Sequence, residues 1–139
     1  MSDGSTNRGA TILIVDDEPH MVDLLRTVLS KAGHHVITAA CGRLALDSAL
    51  GHVPDLILMD ISMPDWDGYE TTVRIKKHQK LQDIPVIFLS GRSEEEDGGR
   101  SFAIGAAMFL RKPFKVSQIR DVVNLALKTR PRYQRDPAS

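Results

Sequence analysis

Apolar and polar positions along this chain fall into alternating blocks. Five short apolar runs are separated by longer stretches with helical spacing. The first run, Thr11 to Val15, is apolar almost throughout, as in a parallel strand covered on both faces. Asp16, Asp17 and Glu18 follow it, and Pro19 suits a first helical turn. Met21, Leu25, Val28 and Ala32 then recur at helical intervals, and Gly33 suits the position just past a helix end. The second run is His35 to Ala39, followed by a helix from Gly42 to Leu50 that Gly51 and Pro54 should end. The third run is Leu56 to Met59, closed by Asp60. Turn chemistry follows in Met63-Pro64-Asp65-Trp66-Asp67-Gly68, then a helix from Tyr69 to about His78.

The fourth run, Val86 to Leu89, is closed by Ser90. Ser93 and Glu96 form a capping box for a further helix, which Gly98-Gly99 weakens by about 1 kcal/mol per glycine. The fifth run, Met108 to Leu110, leads into Arg111-Lys112-Pro113. A last helix carries Val116, Ile119, Val123 and Ala126 on one face. Strict alternation of strand and helix predicts an α/β fold, a five-stranded parallel doubly wound sheet with five helices. Residues 1–10 read as a disordered N-terminal segment, 11–128 as one domain, and 129–139 as a polar tail or the start of a linker.

Composition narrows the reading without naming a function. The chain has 139 residues, 42% hydrophobic and 26% charged, which suits one soluble domain. Lys plus Arg equals Asp plus Glu at 18 each, so no basic nucleic-acid footprint is visible. No apolar run approaches the ~20 residues of a membrane helix. The lone Cys41 fits a reducing cytoplasm.

In open α/β sheets, sites form at the carboxyl ends of strands. Those ends carry Asp16 and Asp17, Asp60, Ser90 and Lys112. Taken singly, each has an ordinary use: helix-dipole partner, cap, turn residue or exposed loop lysine. Together they make a chemically coherent set. Clustered carboxylates need a cation, and oxygen-only ligands suit Mg²⁺, which keeps waters for a phosphate to displace. An aspartate can act as nucleophile toward phosphorus, and Lys112 with the Ser90 hydroxyl would neutralise the transferring oxygens.

The segments ILIVDDEP (Ile12 to Pro19), LILMDISMPDWDGYE (Leu56 to Glu70), PVIFLSGRS (Pro85 to Ser93) and FLRKPF (Phe109 to Phe114) resemble the receiver domains of two-component response regulators. The resemblance runs from about Thr11 to Leu127 and implies a flavodoxin-like receiver topology. It implies Asp60 as phosphoacceptor, and Asp16 and Asp17 with the Ser62 backbone carbonyl as Mg²⁺ ligands beside Asp60. It also implies Ser90 and Lys112 as contacts to the phosphoryl group. Phe109 corresponds to the aromatic switch residue, and Pro113 to the proline usually preceded by a cis peptide. The implied partners are a sensor histidine kinase or phosphotransfer protein upstream, and a downstream protein or covalently linked output domain. A homodimer through the fourth helix, fifth strand and fifth helix is common in the family. The implied role is a cytoplasmic switch, not an enzyme acting on a separate substrate, with no direct nucleic-acid or membrane contact.

Phe109 replaces the family's frequent tyrosine, Ala106-Ala107 replace common acidic residues, and Gly91 stands where alanine is usual. Ser62 and Arg92 fall where the family tunes phosphoryl lifetime. Three alternative readings fit these residues less well. A haloacid-dehalogenase-type phosphatase wants a second aspartate where Ser62 stands. A pseudo-receiver usually lacks one of the residues kept here. A flavodoxin-like cofactor binder wants a Ser/Thr/Gly-rich loop after the first strand. Trp66 reads either as a partner contact or as cover for the site.

Overall fold

Period-two alternation in the central strands divides one sheet between two cores. In the computed structural model, which describes residues 9–92 and 108–128, the strands are β1 (Thr11–Val15), β2 (His35–Ala39), β3 (Leu56–Asp60), β4 (Val86–Ser90) and β5 (Met108–Arg111). All pair in parallel, in the order β2-β1-β3-β4-β5. The helices are α1 (Pro19–Lys31), α2 (Gly42–His52), α3 (Gly68–Lys76) and α4 (Val116–Lys128). The capping box at Ser93 and the helix expected after it, with Gly98-Gly99 and Ala106-Ala107, lie outside the described residues, as do residues 1–8 and 129–139.

Ile12, Ile14, Leu56, Leu58, Ile87 and Leu89 face α1 and α4, where Leu25, Leu29, Ile119 and Val123 meet them. Leu13, Val15, Ile57, Met59, Val86 and Phe88 face the other way, against Ala45 and Ala49 of α2 and Tyr69 and Ile75 of α3. Both faces of β1, β3 and β4 are therefore buried, which is why those strands read as unbroken apolar runs.

Local chemistry sets the helix ends. The Glu18 side chain accepts from the Met21 N–H (2.7 Å) and caps α1, with Pro19 at its first position. Asp67 caps α3 by accepting from the Glu70 N–H (2.8 Å). Two boundaries differ from expectation. Helix α2 runs through Gly51 to His52, because the turn is closed by Val53 in the left-handed region (φ 44°), its N–H donating to the Ala49 carbonyl. Helix α3 stops at Lys76, and a 3₁₀ turn at Gln79–Leu81 follows, burying Leu81. At the N-terminal end, Ala10 belongs to the packed unit. It is buried, its N–H donates to His34 Nδ1 (3.0 Å), and its carbonyl accepts from the His35 N–H.

Thr72 of α3 is fully buried, and its hydroxyl has no hydrogen-bond partner. Thr72→Val keeps the shape and removes the orphaned group. It should raise unfolding free energy by about 1 kcal/mol in chemical denaturation.

Candidate functional site

The strand order fixes where a site can form. From β1 the chain moves outward to β2, then returns across β1 to β3. Connections at the carboxyl ends of β1 and β3 therefore diverge and leave a crevice between them. Asp16 follows β1 directly, and Asp60 is the last residue of β3.

Asp16 is 1% exposed and Asp60 3%, whereas Asp17 is exposed. One carboxylate oxygen from each lies within 4.8 Å of the others. The Asp16 N–H donates to the Ala39 carbonyl (3.2 Å), extending the β1–β2 ladder by one residue. Asp16 Oδ1 accepts from the Glu18 N–H (2.9 Å), which leaves Oδ2 facing Lys112.

Lys112 follows β5, and its N–H donates to the Ser90 carbonyl (2.6 Å). Its Nζ lies 3.2 Å from Asp60 Oδ1 and 3.4 Å from Asp16 Oδ2. The Lys112–Pro113 peptide is cis. One ammonium thus bridges two buried carboxylates that are 52 and 96 residues away in sequence.

The electrostatics reflect crowding of like charge. Burial raises the Asp60 pKa, the Asp16 carboxylate raises it further, and Lys112 only partly offsets both, so it stands at about 6. Burial pulls the Lys112 pKa down, but the carboxylates of Asp60 and Asp16 outweigh it and the net change is upward. Three carboxylates cluster beside one ammonium, which pairs with two of them, and all three offer oxygen donors. That set could hold a hard divalent cation such as Mg²⁺. A cleft of about 210 Å³ opens beside Asp16 and Asp17, walled by Pro19, Val22, Thr38 and Ala39.

The remaining residues singled out in the sequence border this cluster. Ser90 ends β4, fully buried, and its Oγ accepts from the Arg92 N–H (2.9 Å). Phe109 is half-buried on β5 and packs against the α2–α3 core. Ser62 is exposed in the loop after Asp60. Gly68 closes that loop against backbone: a Cβ there would lie 2.5 Å from the Asp60 carbonyl oxygen.

The sequence reading missed three contributors. Glu18 orients Asp16 through its N–H, and a capping signal beside Pro19 could have shown it. Arg43 and Arg74 both lie on the Trp66 ring, at 4.5 and 4.1 Å from its centroid. No local signal pairs them, because the contact depends on how α2 meets α3. Trp66 therefore packs within its own chain, against two arginines.

Comparison with known proteins agrees with this geometry. The family model for the response regulator receiver domain matches residues 12–124. The response regulator SaeR of Staphylococcus aureus is 35% identical over 126 residues, covering 91% of this chain and 54% of that protein. A probable cyclic di-GMP phosphodiesterase of Vibrio cholerae is 35% identical over 120 residues, covering 86% of this chain and 27% of that protein. The chain thus spans about half or less of these curated relatives. Among solved structures, the chemotaxis protein CheY4 of Vibrio cholerae superposes with a TM-score of 0.81 at 29% identity, covering 85% of this chain and 98% of that one. The receiver domain of a Syntrophus aciditrophicus signal transduction histidine kinase gives 0.82 at 32% identity, covering 93% and 96%. Parallel five-stranded sheet, acidic crevice and matched segments converge: the chain belongs to the response regulator receiver domain family.

Proposed function

We propose that this receiver domain is a phosphorylation-controlled switch whose acceptor is Asp60. The observation that carries the reading is the buried Asp60 carboxylate, held between Lys112 and the acidic pair at the switch point of the sheet. A histidine kinase or phosphotransfer protein presents a phosphohistidine. An Asp60 carboxylate oxygen attacks phosphorus, the P–N bond breaks, and the leaving imidazole takes a proton from solvent. With a pKa of about 6, Asp60 is mainly ionised near neutral pH and so competent as nucleophile.

Asp16, Asp17, Asp60 and the Ser62 carbonyl would hold Mg²⁺, which when bound would supply positive charge for the phosphoryl oxygens. Lys112 shifts from its carboxylate partners toward those oxygens. The added charge, about −2 near neutral pH, also recruits the Ser90 hydroxyl. To reach it, Ser90 gives up the bond from Arg92. Its departure opens room for Phe109, and the β5–α4 side rearranges. Water then hydrolyses the acyl phosphate and resets the switch.

The partners are an upstream kinase or phosphotransfer protein and a downstream protein or linked output domain, with a homodimer as one route of output. The domain works in the cytoplasm and makes no nucleic-acid contact of its own. No helix among the described residues is long and apolar enough to cross a membrane.

Beryllofluoride, which mimics an acyl phosphate, tests the reading. With Mg²⁺ it should raise the thermal midpoint by roughly 10 °C when present at about 100 times its dissociation constant. Asp60→Asn should show no shift. An equal shift in Asp60→Asn would contradict the assignment of the acceptor.

A further inference from the structure

We propose that Trp66, held by Arg43 and Arg74, is a positioning residue that sets the loop between β3 and α3 for binding of the divalent cation. The inference rests on the proposed function, because that loop carries Ser62.

The loop is short and unevenly secured. Near the strand, the Ile61 N–H donates to the Leu89 carbonyl (3.0 Å), and the Ile61 carbonyl accepts from the N–H groups of Met63 and Gly68 (3.0 and 2.9 Å). Its outer half has exposed Pro64 and Asp65, and Asp65 takes a left-handed conformation (φ 68°) that a residue with a Cβ adopts unwillingly. Arg43, on the first turn of α2, pairs with Asp65 through Nε (3.1 Å) and lays its guanidinium on Trp66. Arg74, on α3, lays its guanidinium on the same ring from its own side, oriented by a charge-assisted bond to Glu70 (2.6 Å).

Gly42 shows that the fit is close. A Cβ there would lie 2.9 Å from Trp66 Cβ and closer still to Thr71 Oγ1. Two helices and the loop therefore meet on one indole ring. Only five residues separate Ser62 from Gly68, so displacement of Trp66 is transmitted to the Ser62 backbone.

Mg²⁺ alone is the probe. Its dissociation constant would be measured calorimetrically for wild type, Trp66→Ala, Trp66→Phe and the Arg43→Gln/Arg74→Gln double variant, alongside metal-free thermal midpoints. Losing two ring–cation contacts should weaken Mg²⁺ about tenfold in Trp66→Ala and in the double variant, while Trp66→Phe retains most of the affinity. Trp66 is the only tryptophan, so its emission reports the loop directly and should change on Mg²⁺ addition in the wild type. A folded Trp66→Ala with wild-type affinity would overturn the inference alone. If Trp66→Ala does not fold, the double variant with wild-type affinity would do so. A wild type that binds no Mg²⁺ would overturn both this inference and the proposed function.

Discussion

Replacing Asp60 by asparagine is expected to make the metal-free protein more stable at about pH 7.5, by up to roughly 3 kcal/mol, while removing its capacity to accept a phosphoryl group. Asp60 is almost fully buried beside Asp16, and Lys112 is shared between them. Its raised pKa means that the native state holds a proton more tightly than the unfolded chain does. Wild-type stability therefore falls as pH rises from about 4 to about 6, and the full deficit persists above that window. A rise from 3.8 to about 6 sets the upper size of the effect. Asparagine keeps the shape and carries no charge, so the deficit disappears. Urea denaturation with EDTA, at about pH 7.5 and about pH 4.5, measures both arms. The two proteins should differ by up to roughly 3 kcal/mol at the higher pH and by only about 1 kcal/mol at the lower. A variant no more stable than wild type at the higher pH would mean that the crevice does not strain this carboxylate.

Removal of the ammonium has effects of opposite sign on two steps. Lys112→Met should slow phosphoryl transfer from a small acyl phosphate by about 10²–10³-fold, the usual loss when one preorganised cation or donor is taken from a reacting centre. The same substitution should tighten Mg²⁺ binding by about tenfold, because a positive charge beside two of the ligand carboxylates is gone. Transfer rates at saturating Mg²⁺ and a calorimetric Mg²⁺ titration separate the two. If affinity and rate fell together, Lys112 would be acting as a structural clamp on the strand ends. Its backbone bond to Ser90 does not involve the side chain and survives the substitution.

The architecture was readable because its information is local. Each apolar run of β1, β3 and β4 is bounded by a polar residue at its carboxyl end, and alternation with helices makes the sheet parallel. The chemistry at those ends then converges without knowledge of any distance, which is why Asp16, Asp17, Asp60 and Lys112 could be named beforehand. Helix ends were less legible. Gly51 looked like a stop, yet it stays helical because Val53 takes up the left-handed turn. Likewise, no residue pattern announces the 3₁₀ turn that buries Leu81. The contacts of Trp66 were illegible for a different reason. Arg43, Trp66 and Arg74 come together only through the packing of α2 on α3, and an aromatic residue in a polar loop gives no hint of which cations will cover it. The His34 acceptor for the Ala10 N–H is of the same kind, a contact across 24 positions.

The central claim is that Asp60 accepts a phosphoryl group with the help of a divalent cation. Its most direct test is the intact mass of wild type and Asp60→Ala after incubation with acetyl phosphate and Mg²⁺. The account predicts a gain of one phosphoryl group in the wild type, none in Asp60→Ala, and none in either when EDTA is added first. An equal gain in Asp60→Ala would place the acceptor elsewhere. No gain in the wild type, together with no response to beryllofluoride, would contradict the switch itself.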